Sequence, residues 1–152
     1  MLKKAIYVVG GEIEGKWTNK AVKFDLKEFG FKILKDLDST LQMPSLASYE
    51  ELGIFVAGKN IEEKGEIYFY TEEFNKWYRL DEKETKDDAI EYGMADSGFP
   101  AMKFFKGASK KENYLLLAGG YDQISQKTSS SVKLYLLDLK CNGLSKSYLA
   151  NA

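Results

Sequence analysis

The chain has 152 residues, 44% of them hydrophobic and 30% charged, with a formal net charge of -1. That length suffices for one core burying about 70% of the unfolded surface, and a charge so close to zero gives no bulk argument for a nucleic-acid or membrane partner. Histidine is absent, and cysteine and arginine occur once each, as Cys141 and Arg79; Ser-His-Asp and Cys-His catalysis, His-ligated or multi-thiolate metal, an internal disulfide and an arginine cluster are all excluded within this chain.

From the N-terminus, Met1-Leu-Lys-Lys leads into Ala5-Ile-Tyr-Val-Val9, which ends at Gly10-Gly11. Five apolar residues are too few for the core of a signal peptide, and no run approaches the 18 of a membrane span. With no Asn-x-Ser/Thr acceptor either, a cytoplasmic location is expected. The run reads as a β-strand, followed by strands at about 21–26 and 30–34. A strand at about 45–49 follows Pro44, and the next, 54–57, again ends in glycine, Gly58-Lys59. Strands at 66–71 and 76–80 complete a second unit. A third begins after Pro100 with 101–105, continues with 114–118 ending at Gly119-Gly120, and closes with 132–138 and 143–146. Proline is expected at the first position of its strand, where a missing N–H costs least.

The same order therefore returns three times, and a repeat of this kind sets architecture before any local motif does. In each copy two large residues stand seven apart: Phe24 and Phe31, Tyr70 and Trp77, Leu137 and Leu144. Within a unit the strands are named A to D, with the glycine at the end of B. Ala5–Val9 and Tyr114–Ala118 are continuous apolar runs, as expected of strands buried on both faces between neighbouring sheets. Gly10, Gly58 and Gly119 are expected to provide a positive φ or a close backbone approach.

This order resembles the kelch repeat, the roughly 50-residue blade of a β-propeller. The carriers are Ile6-Tyr-Val-Val-Gly-Gly11 with Phe24-Asp25-Leu26, Phe55-Val-Ala-Gly58 with Tyr70 and Trp77, and Leu117-Ala-Gly-Gly120 with Leu137-Asp138-Leu139. The second copy departs with Gly58-Lys59 for the doublet and Thr71 for Asp, the third with Leu144 for tryptophan. The resemblance implies an all-β fold, a partial kelch-like propeller of about three four-stranded antiparallel blades in one repeat domain, 1–152. Blade 1 spans about 1–37, blade 2 about 43–80 with an acidic insertion at 81–98, and blade 3 about 99–147.

Propellers typically close with four to eight blades. Three leave two readings: the remaining blades belong to a longer parent chain, or two copies associate head to tail into a six-bladed ring. The tail, Lys146–Asn151, resembles the A strands and is a candidate for the A strand that the first unit lacks.

Local motifs add little. Gly10-Gly-Glu-Ile-Glu-Gly15-Lys16-Trp17-Thr18 nearly matches a phosphate-binding loop. However, Trp17 stands where the magnesium-binding hydroxyl belongs, Glu12 and Glu14 repel an anion, and a strand follows instead of a helix. The acidic stretch Asp81–Glu91 reads as a solvated insertion, with a protein contact as the next reading. The Thr128–Ser131 cluster reads as loop, and Cys141 has no activating group but a neighbouring lysine.

Strand direction places the B-to-C and D-to-A loops on one rim and the shorter turns on the other. The long set is 11–20, 59–65, 120–131, 35–43 and 81–98, and long loops on a rigid scaffold are where binding residues gather. Trp17, Asn19, Lys59, Asn60, Tyr121, Asp122, Gln123 and Gln126 are the candidate partner-binding residues. The expected function is a non-catalytic protein-interaction scaffold or adaptor. It needs no cofactor or metal, and binds neither nucleic acid nor membrane. By resemblance its partner is a cytoskeletal or ubiquitin-pathway protein. The alternative is part of a kelch-propeller enzyme, an oxidase or sugar epimerase, whose catalytic residues lie outside this chain.

Overall fold

A computed structural model of the chain describes residues 5–49, 53–62, 64–82, 101–106, 113–122, 126–128, 132–138 and 143–149. All regular structure among them is β. The strands are β1 (Ala5–Val9), β2 (Glu12–Ile13), β3 (Lys16–Trp17), β4 (Ala21–Asp25), β5 (Gly30–Ile33), β6 (Gln42–Tyr49), β7 (Gly53–Lys59) and β8 (Gly65–Thr71). They continue as β9 (Lys76–Glu82), β10 (Ala101–Lys106), β11 (Asn113–Ala118), β12 (Tyr121–Asp122), β13 (Lys127–Thr128), β14 (Val132–Asp138) and β15 (Gly143–Leu149).

Three of the repeat's hairpins share one register. Phe24 lies directly opposite Phe31, Tyr70 opposite Trp77, and Leu137 opposite Leu144. The sevenfold spacing is thus the signature of a hairpin whose last paired residues flank a four-residue connection, as in Asp25/Gly30, Thr71/Lys76 and Asp138/Gly143. In the first hairpin the Asp25 carboxylate accepts the N–H groups of Lys27 at 2.9 Å and Glu28 at 3.2 Å. Those two bonds hold its pKa below the ordinary carboxylate value. Thr71, at the matching place in the second, keeps a buried hydroxyl without a hydrogen-bond partner. That turn is secured by Asn75 instead. At φ 48°, it accepts the Tyr70 hydroxyl at 2.8 Å and the Lys35 N–H at 3.1 Å.

The first unit has three strands, in the order β1-β4-β5, as expected of a unit that lacks its A strand. The expected separation of the other two units is corrected. The second and third are not separate: they form one eight-stranded sheet, β10-β11-β14-β15-β9-β8-β7-β6. A short parallel pairing of Gly143 with Asp81 and Leu144 with Glu82 welds them, because β9 runs on through two residues assigned from sequence to the acidic insertion. The rest of that insertion lies outside the described residues, as do Pro100, Ser129–Ser131 and Cys141. The near half (β6–β9) and far half (β10, β11, β14, β15) face each other. Between them lie Phe55, Ala57, Ile67, Phe69, Leu80, Phe104, Leu115 and Leu117. Edge strands β6 and β10 meet through Tyr49 and Phe104, whose rings are 4.4 Å apart.

On its other face the near half receives the first sheet. Ile54, Val56, Tyr68, Tyr70 and Trp77 pack against Val9, Ala21, Leu34, Leu37 and Leu41. So β7 and β8, not Ala5–Val9 or Tyr114–Ala118, are the strands buried on both faces. β1 and β11 alternate between more and less buried positions, since each belongs to a sheet with a neighbour on one side only.

Two further expectations are corrected. Pro44 sits inside β6, at a bulge where Met43 and Pro44 together face Gly58 and no ladder N–H is needed. Gly58 is required by that bulge: a Cβ there would stand 3.0 Å from the Gln42 carbonyl and 3.2 Å from Leu41 Cβ. The tail is not a spare A strand. Residues up to Leu149 continue β15, paired with β14 from Leu149↔Lys133 to Gly143↔Asp138, so their ladder positions on that side are already occupied.

Gly53, opposite Thr71, is the tightest point of the central hairpin. A Cβ on it would lie 1.8 Å from the Tyr70 carbonyl oxygen. Gly53→Ala must force β7 and β8 apart and is expected to cost about 2–3 kcal/mol. A chemical-denaturation midpoint would show this, and an unchanged midpoint would contradict the close approach.

Candidate functional site

The long-loop rim is assembled from the ends of strands B and C. Where the sequence has a glycine doublet, both residues take positive φ: Gly10 67° and Gly11 99°, Gly119 71° and Gly120 124°. These angles suit glycine and turn the chain out of the sheet. In both cases a small hairpin follows, β2–β3 (Glu12 opposite Trp17) and β12–β13 (Tyr121 opposite Thr128). The first hairpin turns at Glu14 (φ 51°) and Gly15 (φ 77°), consecutive left-handed residues as in the tight turn that matches strand twist. The near-match to a phosphate loop is therefore a β-hairpin. The second copy, with Gly58-Lys59, continues β7 through Lys59 and shows no such hairpin among the described residues.

Its loop is instead organised by Asn60. The side-chain oxygen accepts the N–H groups of Glu62 at 2.9 Å and Lys64 at 3.0 Å, and the backbone N–H of Asn60 donates to the Lys64 carbonyl at 2.8 Å. Its amide nitrogen donates to the buried Glu66 carboxylate at 3.1 Å. Glu66 also receives the Tyr68 hydroxyl at 3.0 Å and lies 3.2 Å from the Arg79 guanidinium. The chain's one arginine is thus committed to an internal ion pair.

Asn19 does similar work between the first B-to-C loop and the 34–41 connection. It donates from its side chain to the Leu37 carbonyl at 2.8 Å and accepts the Leu37 N–H on its backbone at 3.0 Å. Lys20 reaches Asp36 across the same seam at 2.6 Å. The structure therefore brings Asn19 and Asn60 to the rim, but as the residues that fasten it. Lys59 is buried, Trp17 is half-buried on β3, and Tyr121 and Gln126 are exposed, Gln126 at φ 53°. Asp122 belongs to β12, and Gln123 lies outside the described residues.

Two residues that the sequence reading passed over stand out. Ile13, at the end of β2, is 59% exposed and Ile61, beside Asn60, is 73% exposed. Both are aliphatic residues next to glutamates at a loop tip (Glu12-Ile13-Glu14 and Ile61-Glu62), and that pairing was the available signal. A β-branched side chain held out on a closed turn loses little entropy when a partner covers it. Among the described residues no cluster of three His, Cys, Asp or Glu side chains is arranged to hold a metal ion. None of their helices is long and apolar enough to cross a membrane.

Burial first, and then the bond to Glu66, push the Tyr68 pKa up to about 12. The fold thus favours the neutral phenol. This contribution is complete below the unfolded value of about 10 and is lost as pH rises through the folded value. Stability is expected to fall between roughly pH 10 and 12, and Tyr68→Phe to remove part of that fall, Tyr70, also raised by burial, supplying the rest. Denaturation midpoints measured across this range for both proteins test it; parallel curves would contradict it.

Comparison with models of known protein families gives no match for this chain, and comparison with curated proteins gives none.

Proposed function

We propose that the chain is a non-catalytic protein-interaction module of kelch-like propeller type, and that it engages a protein partner through the long-loop rim. The propeller part of this reading is supported by three units with one strand order, stacked so that the middle one is covered on both faces. The interaction part rests on a single observation: Ile13 and Ile61 project from turns that the chain's own hydrogen bonds close. Apolar tips of this kind suit a protein surface with apolar sockets. The binding face therefore centres on Ile13, Ile61, Trp17 and Tyr121 more than on Asn19, Asn60 or Lys59.

The test is quantitative affinity capture with the wild type and an Ile13→Ser/Ile61→Ser double variant in parallel, followed by titration of the enriched partner against both. A loss of at least about tenfold in affinity, with an unchanged melting curve, is expected. Equal binding by the two proteins would remove the rim from consideration.

A further inference from the structure

The outward face of the first sheet is wholly apolar. The ladder places Ile6 opposite Phe24 opposite Phe31, and Val8 opposite Val22 opposite Ile33, all on the side away from the near half. Phe31 is 80% and Ile33 79% exposed, and Ile6 and Val8 are more than half exposed. Exposed Phe29, set edge-on against Phe24, extends the patch, and a contiguous apolar face of this kind on a folded chain marks an interaction surface.

The repeat identifies what covers such a face. Aligning Gly10 with Gly58 sets Ile6 and Val8 on Ile54 and Val56, Phe24 on Tyr70 and Phe31 on Trp77. In the near half, that set of positions is buried under the opposite face of the preceding sheet, the face carrying Tyr7 and Val9. In the far half, the corresponding Leu115 and Leu117 are buried under the Phe55 and Ala57 face of the near half. Both face-to-face packings among the described residues thus join the same two kinds of face. One copy of the covering kind is left over, on the outside of the far half. There Phe105, stacked on Tyr114 at 5.5 Å, lies on one side with Leu116, Ala118, Val132 and Leu134, and with the exposed Lys103 opposite Leu116.

We propose that the outward face of the β1-β4-β5 sheet binds the outward face of the far half of a second copy of this chain, continuing the internal stacking from molecule to molecule. The contact is head to tail, so the assembly is a ring where the rotation closes and a filament where it does not. It does not depend on the rim reading, because Ile13 and Ile61 lie outside both faces.

The experiment is light scattering over a micromolar concentration series with wild type, Phe31→Lys, Phe105→Lys, Leu116→Lys and an equimolar mixture of the Phe31 and Leu116 variants, each checked by melting curve. Wild type is expected to associate, and each variant with a wild-type melt to need at least tenfold higher concentration to do so. The mixture should recover dimers, since one intact pair of faces remains. A monomeric wild type would overturn the proposal. So would association that survives Phe105→Lys and Leu116→Lys but not Phe31→Lys, which would mean that two first sheets pack on each other. Phe31 is a surface residue and Phe105 partly exposed, so at least these two variants are expected to fold.

Discussion

Replacing Phe55 by alanine is expected to lower the free energy of unfolding by about 4 kcal/mol. Phe55 is fully buried between the halves of the eight-stranded sheet. Its ring stacks on Phe69 at 4.7 Å and on Phe104 at 5.7 Å, and lies 6.0 Å from Tyr49. Phe69 belongs to the adjacent strand, but Phe104 comes from the facing half, so truncation removes both cross-strand and cross-sheet contacts. The surrounding positions lie on paired strands whose registers resist collapse into the vacated space, which puts the loss towards the upper part of the range for aromatic truncations. Urea titration followed by tryptophan emission measures it. A change below about 1 kcal/mol would mean that the two halves do not share a packed core.

Trp77→Ala and Phe31→Ala form a matched pair, since the two residues hold the same place in consecutive repeats. Trp77 is 4% exposed, lies 4.9 Å from the Tyr70 ring, and donates its indole N–H to the Lys35 carbonyl at 2.6 Å. Its loss opens a large cavity and strips that carbonyl of its partner, for an expected cost of about 4 kcal/mol. Phe31 packs on Phe24 at 4.7 Å but is otherwise open to solvent. Its truncation is expected to change stability by about 0.5 kcal/mol or less at concentrations where the chain is monomeric. Denaturation of both variants side by side reads out the difference, and equal losses would show that the first sheet is covered after all.

That pair also shows what could and could not be read in the sequence. The strands and their register were legible, because Phe24/Phe31 and Tyr70/Trp77 at a spacing of seven, with turn-forming residues between, allow essentially one hairpin geometry. Which faces are covered was not. Ile6-Tyr-Val-Val9 and Ile54-Phe-Val-Ala57 have the same local character, and burial depends on whether a neighbouring sheet exists, a long-range fact. The bulge at Pro44 escaped notice because proline suits both a strand start and a bulge. The join of β9 to β15 involves only two residue pairs at strand ends, with no signature in either segment. At the rim, the sequence placed Asn19 and Asn60 in loops but not their hydrogen bonds across those loops, because asparagine is as fit to fasten backbone as to meet a partner. The exposure of Ile13 and Ile61 has no local sequence signature beyond their neighbouring glutamates.

The first sheet and the eight-stranded sheet share no ladder. What holds them together is the packed layer around Tyr70, the stitches at Asn75 and Trp77, and a polar clasp in which Glu72 accepts the Tyr7 hydroxyl and pairs with Lys23 at 2.9 Å. A body that shares no ladder with its neighbour can loosen with its own backbone bonds intact. Hydrogen exchange is expected to show the amides of β1 and β4 opening below the global unfolding free energy and those of β7 and β8 exchanging last; equal protection in both sheets would contradict this.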